Sequence, residues 1–394
     1  MLRSLFSGIS GLRAHQQMMD VTGNNIANVN TTGYKASQTT FQDTLSQLVR
    51  GAGGPTTGTG GTNPAQVGLG VRLAGIQSNF SQGAAQNTGR DTDLMIQGDG
   101  FFVVSNAGQD LFTRNGSFSF DSNGSLVTTD GSIVQGWSAN SSGVVNTNAS
   151  KGPISLPLST LLAPKATGNV TVTGNLPADT TSPTPIVTSI STYDVQGNPV
   201  TLSASFTKVT PNQWTVNLTD GAATGGPYTL NFTNGANPVP APSPVTVNGV
   251  TLDLSGMTSY SGLSTVTAST QDGSAAGTIQ SFTISPDGTL TGVFSNGLKQ
   301  TLAQLAIASF GNPAGLEKAG DSTYRTTANS GNAQLGAAGS AGRGVLQQGS
   351  LEMSNVDLSQ EFTNLVIAER GFQANSRVIT TSDEILQDLV NIKH

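Results

Sequence analysis

Histidine is the first side chain to look for when a chain is read for chemistry, and this one has two, His15 near its start and His394 at its last position. Both lie at the ends, so the body of the chain can hold neither a Ser-His-Asp triad nor a two-histidine metal site. His15 reads instead as a surface or interface residue. Three carboxylates stand close together in DTDLMIQGDG: Asp91, Asp93 and Asp99. Their spacing does not fit a calcium loop, which needs a bidentate Glu at its end, and Asp99-Gly100 reads as a turn. With no cysteine there is no thiolate metal site and no disulfide, and the redox compartment is not legible. No phosphate loop ending in Gly-Lys-Ser or Gly-Lys-Thr occurs, and the glycine-rich stretches lack the amphipathic helix that would follow one. The residues therefore predict no enzyme, no cofactor and no metal.

Composition points to architecture. Of 394 residues only 10% are charged and 49 are glycine, which suits short strands joined by tight turns, since Gly and Asn accept the positive φ that such turns need. A net charge of −6 and a pI near 4.8 leave no basic footprint, so no nucleic-acid partner is expected. No apolar run approaches the ~20 residues of a spanning helix, so no membrane insertion is expected. Gly8, Ser10, Arg13 and His15 interrupt the first residues, which argues against a cleaved secretory signal.

Two terminal stretches have a different period. Leu2, Leu5, Ile9, Leu12, Met19 and Ile26 follow alternating steps of three and four, with Gln16 and Gly23 as interruptions. Leu358, Phe362, Leu365, Phe372, Ile379, Leu386 and Val390 repeat the pattern, broken by Glu369, Ser376 and Asp383. Each predicts a helix with one narrow apolar stripe, the first over Ser4 to Val29. The two stripes are expected to bury against each other and against copies of the chain. Gly8, Gly11 and Gly23 weaken the first helix in isolation. Ser354, Asn355 or Asp357 can cap the second.

The string SGISGLRAHQQMMDVTGNNIANVNTTGYK resembles the N-terminal signature of the bacterial flagellar rod and hook family, and GSLEMSNVDLSQEF with QANSRVITTSDEILQ resembles its C-terminal signature. Gly23, Asn24, Asn25, Ile26, Ala27, Asn28, Gly33, Tyr34 and Lys35 carry the first match; Ser354, Asn355, Val356 and Asp357 carry the second. Glu369 stands where the family leads one to expect glutamine, and Gly371 follows. The departure would loosen the helix locally.

Between the ends the chain reads as β-rich. Lys35 to Val71 is weakly patterned, with Phe41, Leu45 and Leu48 suggesting a short helix before a linker-like stretch, GAGGPTTGTGGTNPAQVG. Leu73 to Trp137 alternates as strands do, with Asn115-Gly116, Asn123-Gly124 and Asp130-Gly131 as hairpin signals. From Ser138 to Gly277 Thr, Pro, Asn and Gly predominate, as in an inserted β-barrel or sandwich, and Phe282 to Phe310 returns to the earlier style. Trp137 and Trp214 read as core residues. The expected fold is mixed and multidomain, with paired terminal α-helices forming a coiled-coil-like inner domain (1–34 and 351–394). Around it come a connector (35–72 and 311–350), a first β-rich outer domain (73–137 and 278–310) and an inserted distal one (138–277).

The resemblance implies a structural subunit that polymerises with itself into a tubular filament, with no chemistry. It also implies a distal rod protein, a hook cap protein, a hook-filament junction protein and the flagellar export apparatus as partners. The insertion at 138–277 favours a hook type of subunit, bending as it turns, over the common rod type. A secreted β-rich adhesin or surface-layer protein would explain the middle of the chain but leaves the terminal helices without a task.

Overall fold

The computed structural model describes residues 2–156, 161–179, 184–221, 223–235 and 245–391; the side chain of Leu2 and the whole of His394 lie outside the described residues. The protein is mostly β, with one helix at each end of the chain. It divides into two compact units, one of residues 1–156, 283–291 and 301–394, the other of 157–282 and 292–300.

In the first unit α1 spans Leu2–Ala27 and α2 spans Leu358–Asn391. Asp357 caps α2: its Oδ1 accepts from the amides of Ser359 (2.8 Å) and Gln360 (3.2 Å), satisfying donors that a helix start leaves free. The chain leaves α1 through Gly33, whose φ of +68° would strain any other residue. A Cβ there would lie 2.5 Å from the Asn115 amide nitrogen, so close approach also demands glycine.

Contrary to the sequence expectation, Phe41, Leu45 and Leu48 form no helix, and the glycine-rich stretch is not a free linker. Ser37–Asp43 pairs antiparallel with Val71–Ser78, and Ser46–Arg50 continues the ladder against Ala65–Gly68. Bridges at Gly53/Thr62 and Thr56/Thr59 carry the same hairpin to its tip. Thr39, Thr40, Thr44 and Val49 favour extended backbone, and each strand supplies the other's hydrogen bonds, so ladder pairing outweighs a three-residue apolar spacing.

The main sheet of this unit runs in the order Lys299–Leu305, Ile133–Ser138, Phe101–Asn106, Gln109–Thr113, Thr323–Arg325, Glu317–Gly320. On one face Phe101 meets Phe80, Phe310 and Tyr324 edge-on, with ring centroids 5.2 to 5.9 Å apart among these four, and Phe112 meets Phe310 at 4.9 Å. Trp137 joins the same core and donates its indole N–H to Ala149 O, so residues after Ser138 still belong to this unit. The hairpin signals resolve into two kinds. Asn123-Gly124 and Asp130-Gly131 close turns in which only the glycine is left-handed (φ +79° and +84°), the pattern of a type I turn with a glycine bulge. Asn115-Gly116 is no turn: a Cβ on Gly116 would collide with Leu94 O, and the residue is glycine because two backbones meet there.

The second unit is a β-sandwich. One four-stranded sheet holds Val245–Val247, Val250–Thr258, Asn169–Asn175 and Thr267–Gln271; the other holds Ile186–Tyr193, Pro199–Thr210, Gln213–Asp220 and Ala223–Asn231. Val172, Leu252 and Leu254 from the first face Leu202, Phe206, Trp214 and Leu218 from the second in one buried cluster. Asp272 ties the first strand of this unit in place. Burial alone would raise its pKa, but the amides of Asn169 and Gly168 (both 2.8 Å), the Asn169 side chain and Lys165 hold it down at about 2. A carboxyl depressed on folding stabilises above its unfolded pKa and loses that contribution as pH falls from 3.8 toward 2. Asp272→Asn should therefore lower the urea midpoint of the second unit at pH 7 and reduce the loss of stability between pH 4 and pH 2; an unchanged acid limb would contradict the assignment.

Candidate self-assembly site

The residues that let α1 and α2 meet are small or polar. Gly8, Gly11 and Ala14 are buried on α1 at steps of three, followed two turns on by Thr22 and then Asn25. A Cβ on Gly8 would lie 3.3 Å from Ile379 Cγ1, and one on Gly11 would lie 2.6 Å from Asn375 Oδ1. Asn375 is seated in that gap and donates to Gly371 O, one turn back along its own helix (2.8 Å). Gly371 in turn leaves room for the His15 ring, with which a Cβ at 371 would collide. Further along, Ser4 Oγ lies 3.5 Å from Ser382 Oγ, and Ala368 is fully buried. Gly8, Gly11 and Gly371, weak points by helix propensity, are places where side chain or backbone of the opposite helix fills the missing methyl.

The apolar stripes flank this seam. Within one chain Leu5, Leu12, Met19, Ile26, Leu365, Ile379 and Leu386 are half-buried, while Ile9, Leu358, Phe362, Phe372 and Val390 are exposed. A second row on α2, Ile367, Val378, Ile385 and Leu389, is exposed as well, although Val378 Cγ1 lies 3.7 Å from where a Gly8 Cβ would stand. The structure thus brings the half-buried members toward the seam's edge and leaves the rest facing away from the chain itself.

Where the helices reach the β part, the signature residues act as clamps. Asn25 is 1% exposed and makes four bonds: its Nδ2 donates to Ser37 O (2.8 Å) and Glu361 Oε1 (3.1 Å), and its Oδ1 accepts from the Ser37 amide (2.9 Å) and Tyr34 Oη (3.1 Å). Asn355, from the other end of the chain, accepts from the Ala36 amide (2.8 Å) and donates to Asn79 O, Ser81 O and Ser81 Oγ. The two amides pin both strands of the hairpin at its base. Tyr34 Oη also donates to Asn24 Oδ1 (2.8 Å), and Asn28 holds Asn24 O and Thr31 Oγ1. Burial, then Glu361, raises the Tyr34 pKa, so the phenol stays a donor. The Val356 amide donates to Ser354 Oγ. A Cβ on Gly23 would meet nothing beyond its own helix within 4 Å, and Ala27 is exposed.

Lys35 completes the junction. Its Nζ is fully buried and donates to Glu352 Oε1 (2.6 Å) and Ser81 O (2.7 Å); Arg114 reaches Glu352 Oε2 at 3.4 Å and lies over the Phe101 ring. Gly83 N–H donates to the same carboxylate (2.9 Å). Burial lowers the pKa of Lys35 and of Arg114, and Glu352 opposes the shift in both. One carboxylate thus joins the end of the N-terminal signature, the sheet and the strand leading into α2. Glu352, Arg114, Asn375 and Gly371 are site residues that sequence reasoning misses; the signal available is the run GSLE, which places a lone acid in an apolar strand.

Of the acids considered for chemistry, Asp93 is buried and Asp91 and Asp99 are exposed. Asp93 accepts from Thr88 Oγ1 (2.6 Å) and lies 3.8 Å from Arg90. Among the described residues no group of three His, Cys, Asp or Glu can hold a metal, and no helix is long and apolar enough to cross a membrane.

Known protein families map onto these same parts of the chain. Residues 5–35 match the family described as flagella basal body rod protein, and 347–392 match the flagellar basal body rod FlgEFG protein C-terminal family. Residues 95–178 match the flagellar hook protein FlgE/F/G D1 domain, and 166–274 the flagellar basal body protein FlaE D2 domain. The flagellar hook protein FlgE of Borreliella burgdorferi is 39% identical across the full length of both chains. The chain belongs to the flagellar hook protein family. The hook protein FlgE of Salmonella typhimurium is 35% identical over 99% of this chain and 100% of its own, and the basal-body rod protein FlgG of Bacillus subtilis is 32% identical over both full lengths. The crystal structure of Helicobacter pylori FlgE2 shares the fold, with a TM-score of 0.54 over 68% of this chain and all of its own at 16% identity. The family is a structural one. Its two rod-type regions coincide with the helix pair and its clamps, and the D2 match falls on the sandwich.

If His15 fills the space that Gly371 leaves, the two positions are coupled. Gly371→Ala should destabilise the helix pair, and combining it with His15→Ala should recover about 1 kcal/mol or more in a double-mutant cycle read from helical circular dichroism on urea unfolding. Additive effects would contradict the fit.

Proposed function

We propose that this chain is the structural subunit of a bacterial flagellar hook and that its terminal helices form the inner seam of the polymer. Hook-protein relatives that align along its whole length support the first statement. The observation that carries the second is the exposure of apolar rows along a helix pair whose own seam is already filled by small residues. Apolar surface of this extent is stabilised only when something covers it, and many copies in a tube supply the cover. Leu2, Leu5, Ile9, Leu12, Met19 and Ile26 with Leu358, Phe362, Leu365, Phe372, Ile379, Leu386 and Val390 are the inner-seam residues in this reading.

In this reading the helix pair is the coiled-coil-like part of the four-part division read from sequence, and the sandwich is its inserted part. The role is mechanical, not catalytic: torque passes along a curved tube that bends as it turns. Outer surfaces with few charges suit neighbours that slide past one another, because few ion pairs are available to fix one register. The distal rod protein, hook cap protein and hook-filament junction protein are the neighbours this role requires. The flagellar export apparatus is the route out of the cell in this reading.

Deleting residues 2–29 tests the seam. The truncated protein should keep its β circular dichroism and form no filaments in negative-stain electron microscopy under conditions where the full chain polymerises; filaments from the truncated protein would contradict the reading.

A further inference from the structure

A groove about 370 Å³ in volume lies on α1, between the helix and the second strand of the hairpin. Phe6, Ile9 and Arg13 line it from the helix, and Val71, Arg72 and Leu73 from the strand. Ser10, Ala14 and Gln17 complete the lining, so apolar side chains alternate with polar ones and two arginines. Phe6 is 66% exposed and Ile9 38%, so these two have no full cover within the chain. Among the described residues neither Arg13 nor Arg72 pairs with a carboxylate; Arg72 meets the neutral amide oxygen of Gln42 at 2.5 Å, in the amide orientation that satisfies both groups. The chain's own α2 cannot fill the groove. It packs on the Gly8 and Gly11 side, and at about 100° per residue Phe6, Ile9 and Arg13 point roughly 140–160° away from Gly11.

The complementary surface is on the last third of α2. From Val378 to Asn391 the helix has no Lys or Arg, and it carries Asp383, Glu384 and Asp388. Glu384 and Asp388 stand one turn apart, a like-charge pair that disfavours the helix by itself. Beside them run Ile385 and Leu389, 48% and 55% exposed. An acidic row next to an apolar row mirrors a groove that presents exposed apolar side chains and two arginines. We propose that the groove of one copy receives the Glu384 to Leu389 segment of α2 from a second copy, with Ile385 and Leu389 on Phe6 and Ile9, and Glu384 and Asp388 toward Arg13 and Arg72. This contact rests on the self-assembly reading and gives that assembly its direction. It is heterologous, joining two different surfaces, so it propagates from copy to copy instead of closing a pair.

Charge reversal of the full chain tests it. Arg13→Glu with Arg72→Glu should raise the critical concentration for polymerisation at least tenfold, and Glu384→Lys with Asp388→Lys should do the same. All four changes together should return it to within about threefold of the parent. Reversals that leave it within twofold, or a quadruple variant no better than either pair, would overturn the proposal. Because the chain has no cysteine, Ile9→Cys and Leu389→Cys give a readout that tolerates no rescue by misfolding. When the two single variants are mixed, polymerised and oxidised, a disulfide should join unlike copies. Disulfides only between like copies, or none, would contradict the assignment. A parent chain that never polymerises would instead overturn self-assembly itself, which separates the two failures.

Discussion

The assembly surface of the first unit depends on two helices from opposite ends of the chain approaching more closely than ordinary side chains permit. Gly8 and Gly11 open α1 to Asn375 and Ile379, and Gly371 opens α2 to His15. Glycine costs helix propensity of roughly 1 kcal/mol per residue relative to alanine, a cost that backbone approach and the amide of Asn375 must offset. The consequence is a division of labour across each helix surface. Small and polar residues close the pair within the chain, which frees the apolar residues to face outward. An apolar seam between α1 and α2 would have hidden the surface a polymer needs.

The buried carboxylate of Glu352 extends the pairing to the sheet. Two buried cations and one buried anion would be a poor source of stability if they were not hydrogen-bonded, since desolvation rivals the attraction. Here Ser81 O, the Gly83 amide and the Phe101 ring take up part of what the ion pairs leave, while Arg114 Nε is buried without a hydrogen-bond partner. The cluster needs Lys35, Arg114 and Glu352 in register, and these come from three distant parts of the sequence. Together with Asn25 and Asn355 it fixes the base of the hairpin against both helices, so a change of register in the helix pair is felt at the β part.

Much of this is legible in the sequence. The period of the terminal stretches predicts two helices, and the alternation from Leu73 predicts a β-rich middle, because burial on one face imposes those periods wherever the chain folds. The Asp357 cap is one of three candidates, and only hydrogen-bond geometry can choose it. Two things are hidden. Pairing of Ser37–Asp43 with Val71–Ser78 depends on partners 28 to 41 residues away, so a local reading of Phe41, Leu45 and Leu48 suggests a helix. The seam is hidden because apolar residues carry the periodic signal, whereas what decides the contact is the absence of side chains at Gly8, Gly11 and Gly371. Asn25 and Asn355 stand out by resemblance, but their reason, paired bonds to the backbone at residues 36–37 and 79–81, is visible only in three dimensions.

The small-residue seam joins α1 and α2 of the same chain, and in the proposed polymer the apolar flanks join different copies. Spin labels at Asp20 and Thr363, both exposed, one on each helix, measure this division directly by pulsed dipolar spectroscopy in polymers where labelled chains are diluted with a large excess of unlabelled ones. One short, narrow distance that survives dilution is the expected result. A short distance that vanishes on dilution would show that the helices pair between copies, and the account would be wrong.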